Sequence, residues 1–304
     1  MPKMRGVVIQ DGRLEIEERP DPVAAAGEIL IRVRAAGING ADLMQRAGNY
    51  PPPPGAPKDI PGLECAGEVV EGGVRFKPGD RVMALLGGGG QSELVAVAET
   101  HVMPVPARVD WPQAGGFVEV FATAHDALFT QAGLKAGERL LVNGAAGGVG
   151  VAGVQLGVVE GARVTGSARH HHAELRELGA DTEVSGAYDV ILELVGGENL
   201  ATNLERLATR GRIAVIGTGA GATAEVNFGL LLRARGRIHG STLRARSQEE
   251  KEDVVRRLEG HVVHLLASGL VHVPVEETFP LEQAQEAYER FAAGGKFGKI
   301  VICP

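Results

Sequence analysis

The pattern of apolar and polar positions changes character between Trp111 and Phe117. Before that point, short β-type runs are separated by Gly and Pro turns, a spacing that is typical of a compact β-rich domain. These runs are Arg5 to Gln10, Leu14 to Glu18, Glu28 to Ala36, Glu64 to Val70 and Arg81 to Leu85. The pattern therefore predicts a partly open β-barrel in the first part of the chain.

Strands and helices alternate in the second part of the chain. The predicted order is a strand Leu140 to Asn143, a helix Val151 to Val159, a strand Arg163 to Gly166, a helix His172 to Leu178, a strand Val190 to Val195, a helix Asn199 to Thr209 and a strand Arg212 to Gly217. This series predicts a doubly wound parallel sheet with ligands at the carboxyl ends of its strands. The short loop from Thr182 to Asp189 has no room for a long helix, so we expect this side of the sheet to be trimmed.

The last part begins with a long amphipathic helix, Gln248 to Ser268, and ends with a strand, Lys299 to Ile302. No helix follows that strand, so we expect it to return to the first domain and to make that domain discontinuous. The fold class is α/β. The predicted domains are residues 1–118 with 269–304 for the β-rich domain, and residues 119–268 for the dinucleotide-binding domain.

Composition narrows the function classes. The chain has 304 residues, 44% of them hydrophobic, which is enough to bury two cores. Its formal net charge is −7 and no basic run is interleaved with aromatics, so we expect no nucleic-acid partner. No apolar stretch approaches the roughly 20 residues that span a bilayer, so we expect a soluble, cytoplasmic protein without a membrane partner. Cys65 and Cys303 are predicted to be free thiols.

A glycine turn follows the first strand of the second domain. Three glycines spaced by threes lie between this strand and a helix, so a bound pyrophosphate could approach the backbone and the N–H groups of the helix N-terminus. A plain tight turn is the alternative, but the βαβ context favours an anion cradle. The predicted cofactor contacts are Gly144, Ala146, Gly147, Gly148, Val149 and Gly150.

The end of the next strand bears on the type of nicotinamide cofactor. NAD sites usually place an acid there, about 20 residues past the glycine turn, but this chain has none before Glu174. Ser167 and Arg169 would accept an anionic 2′-phosphate, so we predict NADPH. The alternative is that Arg169 belongs with His170, His171 and His172 to a solvated helix start, and for the histidines we favour that interpretation.

Several motifs give the chain a family resemblance. They are Ala36-Gly37-Ile38-Asn39, Ala41 to Gly55, Pro61-Gly62-Leu63-Glu64, Lys77 to Val82, and Gly137 to Gln155. With them the whole chain resembles the medium-chain dehydrogenase/reductase superfamily, and more narrowly its zinc-free quinone oxidoreductase branch. The resemblance implies a GroES-like catalytic domain, a Rossmann domain, a nicotinamide cofactor and a homodimer. The chain departs from the family signature at Val158, where Lys, Arg or Ser is expected.

The resemblance also assigns site residues. It places Asn39 and Tyr50 where an amide and a phenol could hydrogen-bond a quinone oxygen or the nicotinamide ribose; a turn cap and a packed aromatic are the alternatives. Thr123 matches a step beside the nicotinamide, with a helix N-cap as the alternative. Gly196 and Gly217 follow later strands, where the backbone approaches the cofactor. Leu243 and Arg244 are expected to close the cleft.

Zinc-dependent relatives of this architecture need a thiolate where this chain has Asn39, and that thiolate is absent. Glu64 is therefore interpreted as a structural carboxylate, and no metal site is expected. The function predicted from the sequence is an NADPH-dependent reductase that transfers hydride to quinones or other conjugated carbonyl compounds. Two alternatives stay open. One is an enoyl (thioester) reductase, for which Tyr50 is the obvious proton donor, and the other is a catalytically silent NADPH-binding interaction protein.

Overall fold

The computed structural model describes residues 3–304, and the chain divides into two compact units. The first unit contains the residues up to Val120 together with Leu243–Pro304, and the second contains Phe121–Thr242. The sequence predicts the second boundary after residue 268, whereas this division lies after Thr242. The two boundaries differ because the long helix Gln248–Ser268 belongs to the first unit. It packs there against Glu99–His101 and Val102–Pro104.

The strands, in chain order, are β1 (Lys3–Gln10), β2 (Arg13–Pro20), β3 (Glu28–Gly37), β4 (Glu64–Glu71), β5 (Arg81–Leu85), β6 (Leu94–Ala98), β7 (Val102–Pro104), β8 (Arg139–Asn143), β9 (Arg163–Ser167), β10 (Tyr188–Glu193), β11 (Leu207–Val215), β12 (Arg237–Gly240), β13 (Val275–Pro280) and β14 (Lys299–Cys303). The helices are α1 (Gly40–Arg46), α2 (Trp111–Gly115), α3 (Val118–His125), α4 (Gly148–Val159), α5 (His172–Glu177), α6 (Leu200–Glu205), α7 (Phe228–Ala234), α8 (Gln248–Ser268) and α9 (Ala284–Ala292). A π-helical turn, Asp126–Gln131, continues α3.

The first unit is built on one mainly antiparallel sheet. Its strand order is β13-β14-β3-β4-β5-β7, with β6 paired to β3 and with β1 and β2 forming a separate hairpin. Alternate residues of β3, namely Ile29, Ile31 and Val33, are buried in the core, as expected for a strand with one face inward. The last strand, β14, pairs antiparallel with β3 through Val301 and Gly37. The predicted return of the last strand to the first part of the chain is confirmed.

The second unit contains a five-stranded parallel sheet with the order β12-β11-β10-β8-β9. The chain runs from β8 outward to β9 and then crosses to β10 on the other side of β8, so the strand order reverses between β8 and β10. Beyond β9 the described residues form only an isolated bridge between Thr165 and Asp181. The doubly wound sheet and its trimmed side are both confirmed.

The last part of one predicted helix is a strand in the structure. The predicted helix Asn199 to Thr209 ends at Glu205, and β11 begins at Leu207. The main-chain oxygen of Arg206 accepts the N–H of Tyr188 at 2.8 Å, which starts the pairing with β10, and Arg210 turns the chain with a φ of +63°. Periodicity could not separate the two elements because leucines of both enter one apolar cluster at helical spacing.

Among residues 3–304, no helix combines the length and the apolar character that crossing a membrane requires.

Candidate functional site

A buried ion pair lies inside the first unit. Lys299 opens β14, and its Nζ lies 2.7 Å from Oε1 of Glu64, the first residue of β4. Lys299 is 2% exposed and Glu64 is 0% exposed. Nζ also donates to the main-chain oxygen of Ile38 at 2.8 Å and to Oδ1 of Asn39 at 2.7 Å. Because an ammonium has three protons, each of them has an acceptor here, which lets the charge be buried.

Asn39 completes this network. Its Nδ2 donates to Oε1 of Glu64 at 2.9 Å and, over a longer 3.4 Å, to the main-chain oxygen of Gly37. The second carboxylate oxygen of Glu64, Oε2, accepts the main-chain N–H of Glu119 at 3.0 Å. Both ends of the Asn39 amide and both oxygens of Glu64 are therefore engaged within the protein.

Asp42 fixes the same region through the backbone. Its Oδ2 accepts the N–H of Asn39, the N-cap of α1, at 2.8 Å, and its Oδ1 accepts the N–H of Gly62 at 3.0 Å. The side chain is 0% exposed. Burial raises the pKa of Asp42 to about 6, against the opposing effect of these two hydrogen bonds and the charges of Lys299 and Arg244. Asp42 holds the start of α1 against the segment that leads into β4.

Arg244 joins helix α1 to two loops of the first unit. Its guanidinium donates to the main-chain oxygen of Gly87 at 2.9 Å, to that of Tyr50 at 2.9 Å and to Oε1 of Gln45 at 2.6 Å. The guanidinium carbon also lies 5.2 Å from the centroid of the Tyr50 ring. Burial, and then the nearby Glu119 carboxylate, raise the pKa of the half-buried Tyr50 phenol. Arg244 therefore positions this phenol.

The glycine turn lies in the second unit, between β8 and α4. Gly144 has a φ of +78°, a conformation that favours glycine, and its N–H and that of Ala145 both donate to the Ser167 oxygen at 3.0 Å. A Cβ on Gly150 would overlap the main-chain oxygen of Gly144. On Gly147 the nearest atom to a Cβ would be the same oxygen, at 3.5 Å, an ordinary contact. Gly150 is thus required for closure of the turn.

The first turn of α4 supplies the donors of the predicted cradle. Gly147 is the N-cap, and the N–H groups of Gly148, Val149 and Gly150 follow it in a helix of 12 residues. The first N–H groups of an α-helix have no acceptor within that helix. Together with the helix dipole they form a site suited to a phosphate group.

Glu193 organises the strand ends around this turn. It is the last residue of β10, pairs in register with Asn143 of β8 and is 1% exposed. Its carboxylate accepts five hydrogen bonds, from the N–H of Val195 at 2.7 Å and of Gly196 at 2.9 Å, and from the side-chain amides of Asn143 at 2.7 Å, Asn199 at 3.2 Å and Asn203 at 2.7 Å. The carboxylate therefore fixes the ends of β8 and β10 at the point where the strand order reverses.

The segment after β9 is open to solvent. Ser167 ends the strand, and Arg169 is exposed two residues later. His171 adopts a φ of +69°, and its Nδ1 lies 2.8 Å from Glu174 Oε1 in the first turn of α5. The predicted helix start at His172 is confirmed.

Comparison with known proteins decides the family. The alcohol dehydrogenase GroES-like domain model matches residues 25–107, and the zinc-binding dehydrogenase model matches residues 161–302. The quinone oxidoreductase of Rattus norvegicus is 30% identical in an alignment that covers 92% of this chain and 90% of that protein. The chain is a quinone oxidoreductase-like member of the medium-chain dehydrogenase/reductase superfamily. The resemblance indicated by the sequence motifs is confirmed.

Solved structures of this superfamily agree with the fold. A probable oxidoreductase from Mycobacterium abscessus has a TM-score of 0.85 at 28% identity, with 100% of this chain and 99% of that chain covered. The quinone oxidoreductase from Coxiella burnetii has a TM-score of 0.80 with 100% of both chains covered, and at 24% identity it shows the fold alone. The GroES-like β domain and the Rossmann-type sheet are confirmed. The family implies a nicotinamide cofactor, and the closed glycine turn fits its pyrophosphate.

The site residues predicted from the sequence fall into two sets. Asn39, Tyr50 and Leu243 lie in the first unit, and Leu243 is buried there at 6% exposure, next to Arg244 in the chain. Thr123 lies in the second unit. Thr123 is the sixth residue of α3, so the alternative that it caps this helix is wrong.

The other predicted cofactor residues of the second unit lie at strand ends. Gly196 has a φ of +137°, and a Cβ on it would lie 2.8 Å from the main-chain oxygen of Gly221. A Cβ on Gly217 would overlap the main-chain oxygen of Leu194. Both positions require glycine because backbone approaches backbone there.

Three important residues are missing from the sequence prediction. Lys299 and Glu193 occur in apolar strands, KIVIC and VILE, and a charge in such a strand is a signal that a buried partner exists elsewhere. Glu119 carries no local signal, because its partner Glu64 is distant in sequence. Arg244 is predicted beside Leu243, but its partners Gln45, Tyr50 and Gly87 are not.

We predict different outcomes for alanine at two positions of the glycine turn. Gly150→Ala places a methyl group on the Gly144 oxygen, so it should lower the free energy of unfolding by about 2–4 kcal/mol and abolish nucleotide binding. Gly147→Ala is the matched control: its backbone conformation, with φ −75° and ψ 165°, suits any residue, so its stability should stay within about 0.5 kcal/mol of the parent. Urea unfolding and cofactor fluorescence measure both. Equal stability of the two variants would contradict the closure argument.

Proposed function

We propose that this protein is an NADPH-dependent reductase that delivers a hydride to quinones or other conjugated carbonyl compounds without zinc. The observation that carries the cofactor choice is the end of β9. The Ser167 carbonyl is held by the glycine turn, and the next charged side chain is the exposed Arg169. No carboxylate stands at this strand end to bind ribose hydroxyls, and a guanidinium is well suited to a 2′-phosphate.

The quinone assignment is supported by the relatives, which include the quinone oxidoreductases of Rattus norvegicus and Mus musculus at 30% identity. Zinc independence is supported by the chemistry of the donor set. Glu64 already carries the Lys299 ammonium, and Asn39 contributes an amide that is hydrogen-bonded at both ends. The nearby Cys65 thiol is buried, and burial raises its pKa, which disfavours the thiolate that zinc requires. These residues do not fit a zinc site.

The role of each side chain follows from the hydrogen-bonding groups that are not already engaged within the protein. The Tyr50 phenol, positioned by Arg244, is assigned to the substrate oxygen, and the Thr123 hydroxyl to orientation of the nicotinamide ring. Asn39 is assigned a positioning role, because its amide orients Glu64 and Lys299. A bound reduced nicotinamide supplies the hydride, and the protein supplies position and hydrogen bonds.

The acceptor class is tested with purified protein and a panel of quinones, enones and enoyl thioesters. We expect NADPH oxidation with quinones or enones, unchanged by a zinc chelator, in protein that elemental analysis finds free of stoichiometric zinc. Preference for enoyl thioesters would select the enoyl reductase alternative. Cofactor binding without turnover across the whole panel would select the silent binding protein.

The cofactor choice is tested at Arg169. A guanidinium contact to phosphate is typically worth about 1.5–3 kcal/mol, so Arg169→Ala should weaken NADPH binding by roughly tenfold to a hundredfold and leave NADH nearly unchanged. Ser167→Asp should reverse the preference, because its carboxylate repels the 2′-phosphate and accepts ribose hydroxyls. Arg176→Ala, an exposed arginine on α5, is the control. If fluorescence titration finds that Arg169→Ala weakens both cofactors equally, the NADPH assignment fails.

The sheet edge suggests how two copies associate. β12 lies at the edge of the parallel sheet, where one side of the strand has no neighbour among residues 3–304. The helix that leads into it, α7, exposes 70% of Phe228 and 75% of Leu232, one helical turn apart. We propose a homodimer in which two such edges pair and cover these side chains.

For this assembly we predict the mass of a dimer by light scattering at micromolar concentration. Leu232→Lys should shift the protein towards monomer, because it places a charge in the proposed apolar contact. Leu270→Lys changes a residue of the first unit that is 63% exposed, and it should leave the mass unchanged. A monomeric parent protein, or an equal effect of both variants, would exclude this interface.

A further inference from the structure

Three carboxyl groups lie in one charged region of the first unit, and two of them are fully engaged. Glu64 accepts hydrogen bonds on both oxygens and pairs with Lys299. Asp42 accepts a main-chain N–H on each oxygen. Neither group can give or take a proton without breaking the contacts that hold β4, β14 and α1 together. The third carboxyl, Glu119, is different.

Glu119 is the second residue of α3 and is half-buried. Its main-chain N–H donates to Glu64, which fixes the position of the residue in the network. Its side-chain carboxyl has neither a hydrogen-bond partner nor an ion-pair partner among residues 3–304. The backbone of Glu119 is therefore structural, while its carboxyl is left available to a bound molecule.

The surroundings of this carboxyl favour its neutral form. Burial, and then the charges of Glu64 and Asp42, raise the pKa of Glu119 to about 8, while Lys299 and Arg244 oppose the shift. The titratable and charged groups that face it are Glu64 on β4, Lys299 on β14, Asp42 on α1, Lys251 on α8, and Tyr50 and Arg244. At neutral pH roughly nine carboxyls in ten hold a proton at such a pKa.

We infer that Glu119 is the proton donor of the reduction, acting on the oxygen of a quinone or enone whose carbonyl is hydrogen-bonded by Tyr50. The inference rests on the proposed reductase function. A bound reduced nicotinamide would supply the hydride to the conjugated system, and the electron pair of the carbonyl π bond would move to oxygen. The O–H bond of Glu119 breaks as the substrate O–H bond forms, and the resulting carboxylate is reprotonated from solvent, to which the half-buried group has access.

Tyr50 is the weaker candidate for this step. A general acid works best when its pKa lies near the working pH. Burial and the Glu119 carboxylate raise the pKa of Tyr50 further above its ordinary value of 10.0, which makes the phenol a poorer acid. Tyr50 remains suited to donating a hydrogen bond without giving up its proton.

The test compares Glu119→Gln, Glu119→Asp and, as a matched surface control, Glu286→Gln on the exposed face of α9. Glutamine keeps the main-chain N–H to Glu64 and the shape of the side chain, so the ion-pair network stays intact. We expect Glu119→Gln to lower kcat at least about 100-fold with little change in KM, and Glu119→Asp to recover part of the loss. In the parent protein kcat/KM should fall above pH 8, and this alkaline limb should be absent in Glu119→Gln.

A second measurement does not depend on turnover. In protein labelled with carbon-13 at glutamate carboxyls, one resonance should titrate near pH 8 and disappear in Glu119→Gln. If the parent protein reduces no acceptor, the proposed function fails and so does the donor role, although the titration would still identify a protonated Glu119. If it reduces quinones while Glu119→Gln keeps kcat within twofold and keeps the alkaline limb, the donor role is overturned and the reductase function stands.

Discussion

The ion pair between Lys299 and Glu64 is the interaction on which the first unit depends. It joins the first residues of β14 and β4, and through Asn39 and the N–H of Glu119 it reaches the end of β3 and the start of α3. Breaking such a buried pair by removing one partner typically costs about 3–5 kcal/mol. The ion pair therefore holds these elements in fixed positions relative to one another. The network also explains why a glycine, Gly37, is needed at the end of β3. A Cβ at this position would lie 2.5 Å from Glu64 Oε1 and 2.8 Å from Lys299 Cε.

The second unit also contains a buried carboxylate, but no cation stabilises it. The Glu193 carboxylate is as deeply buried as the ion pair, but its five donors are all neutral amides. Hydrogen bonds to an ionised carboxylate are stronger than those between neutral groups, and five of them offset the cost of its burial. The consequence is a rigid frame around the glycine turn, and a turn fixed before binding loses little conformational entropy when it receives a ligand.

Periodicity and turn residues were sufficient to predict most of the fold. The βαβ alternation, the trimmed sheet and the return of the last strand all follow from local patterns, and α8 was predicted with the bounds that the structure shows. The start of β11 was missed because Leu204 and Leu207 have helical spacing although they belong to different elements. The glycine turn could also be predicted from a local pattern, because its function depends on the backbone of consecutive residues.

The polar networks could not be predicted from local sequence patterns. Lys299 is separated from Glu64 by 235 positions, and Arg244 from Gln45 by 199, so no window along the chain contains both members of either pair. A charged residue in an apolar strand indicates that a partner exists but does not identify it. Asn39 illustrates the limit: its motif marks it as important, whereas only the fold shows that its amide is occupied by Lys299 and Glu64.

The same networks decide which carboxyl is available for chemistry. Asp42, Glu64 and Glu119 share one functional group, yet their contacts give them different properties, because backbone donors and an ammonium stabilise the charged form and a second carboxylate opposes it. The start of α3 would by itself favour an ionised Glu119 through the helix dipole. That effect is reduced because the main-chain N–H of Glu119 is directed to Glu64, whose negative charge faces the same region. The Glu64 carboxylate of the ion pair that stabilises the unit therefore also raises the pKa of the neighbouring acid, Glu119.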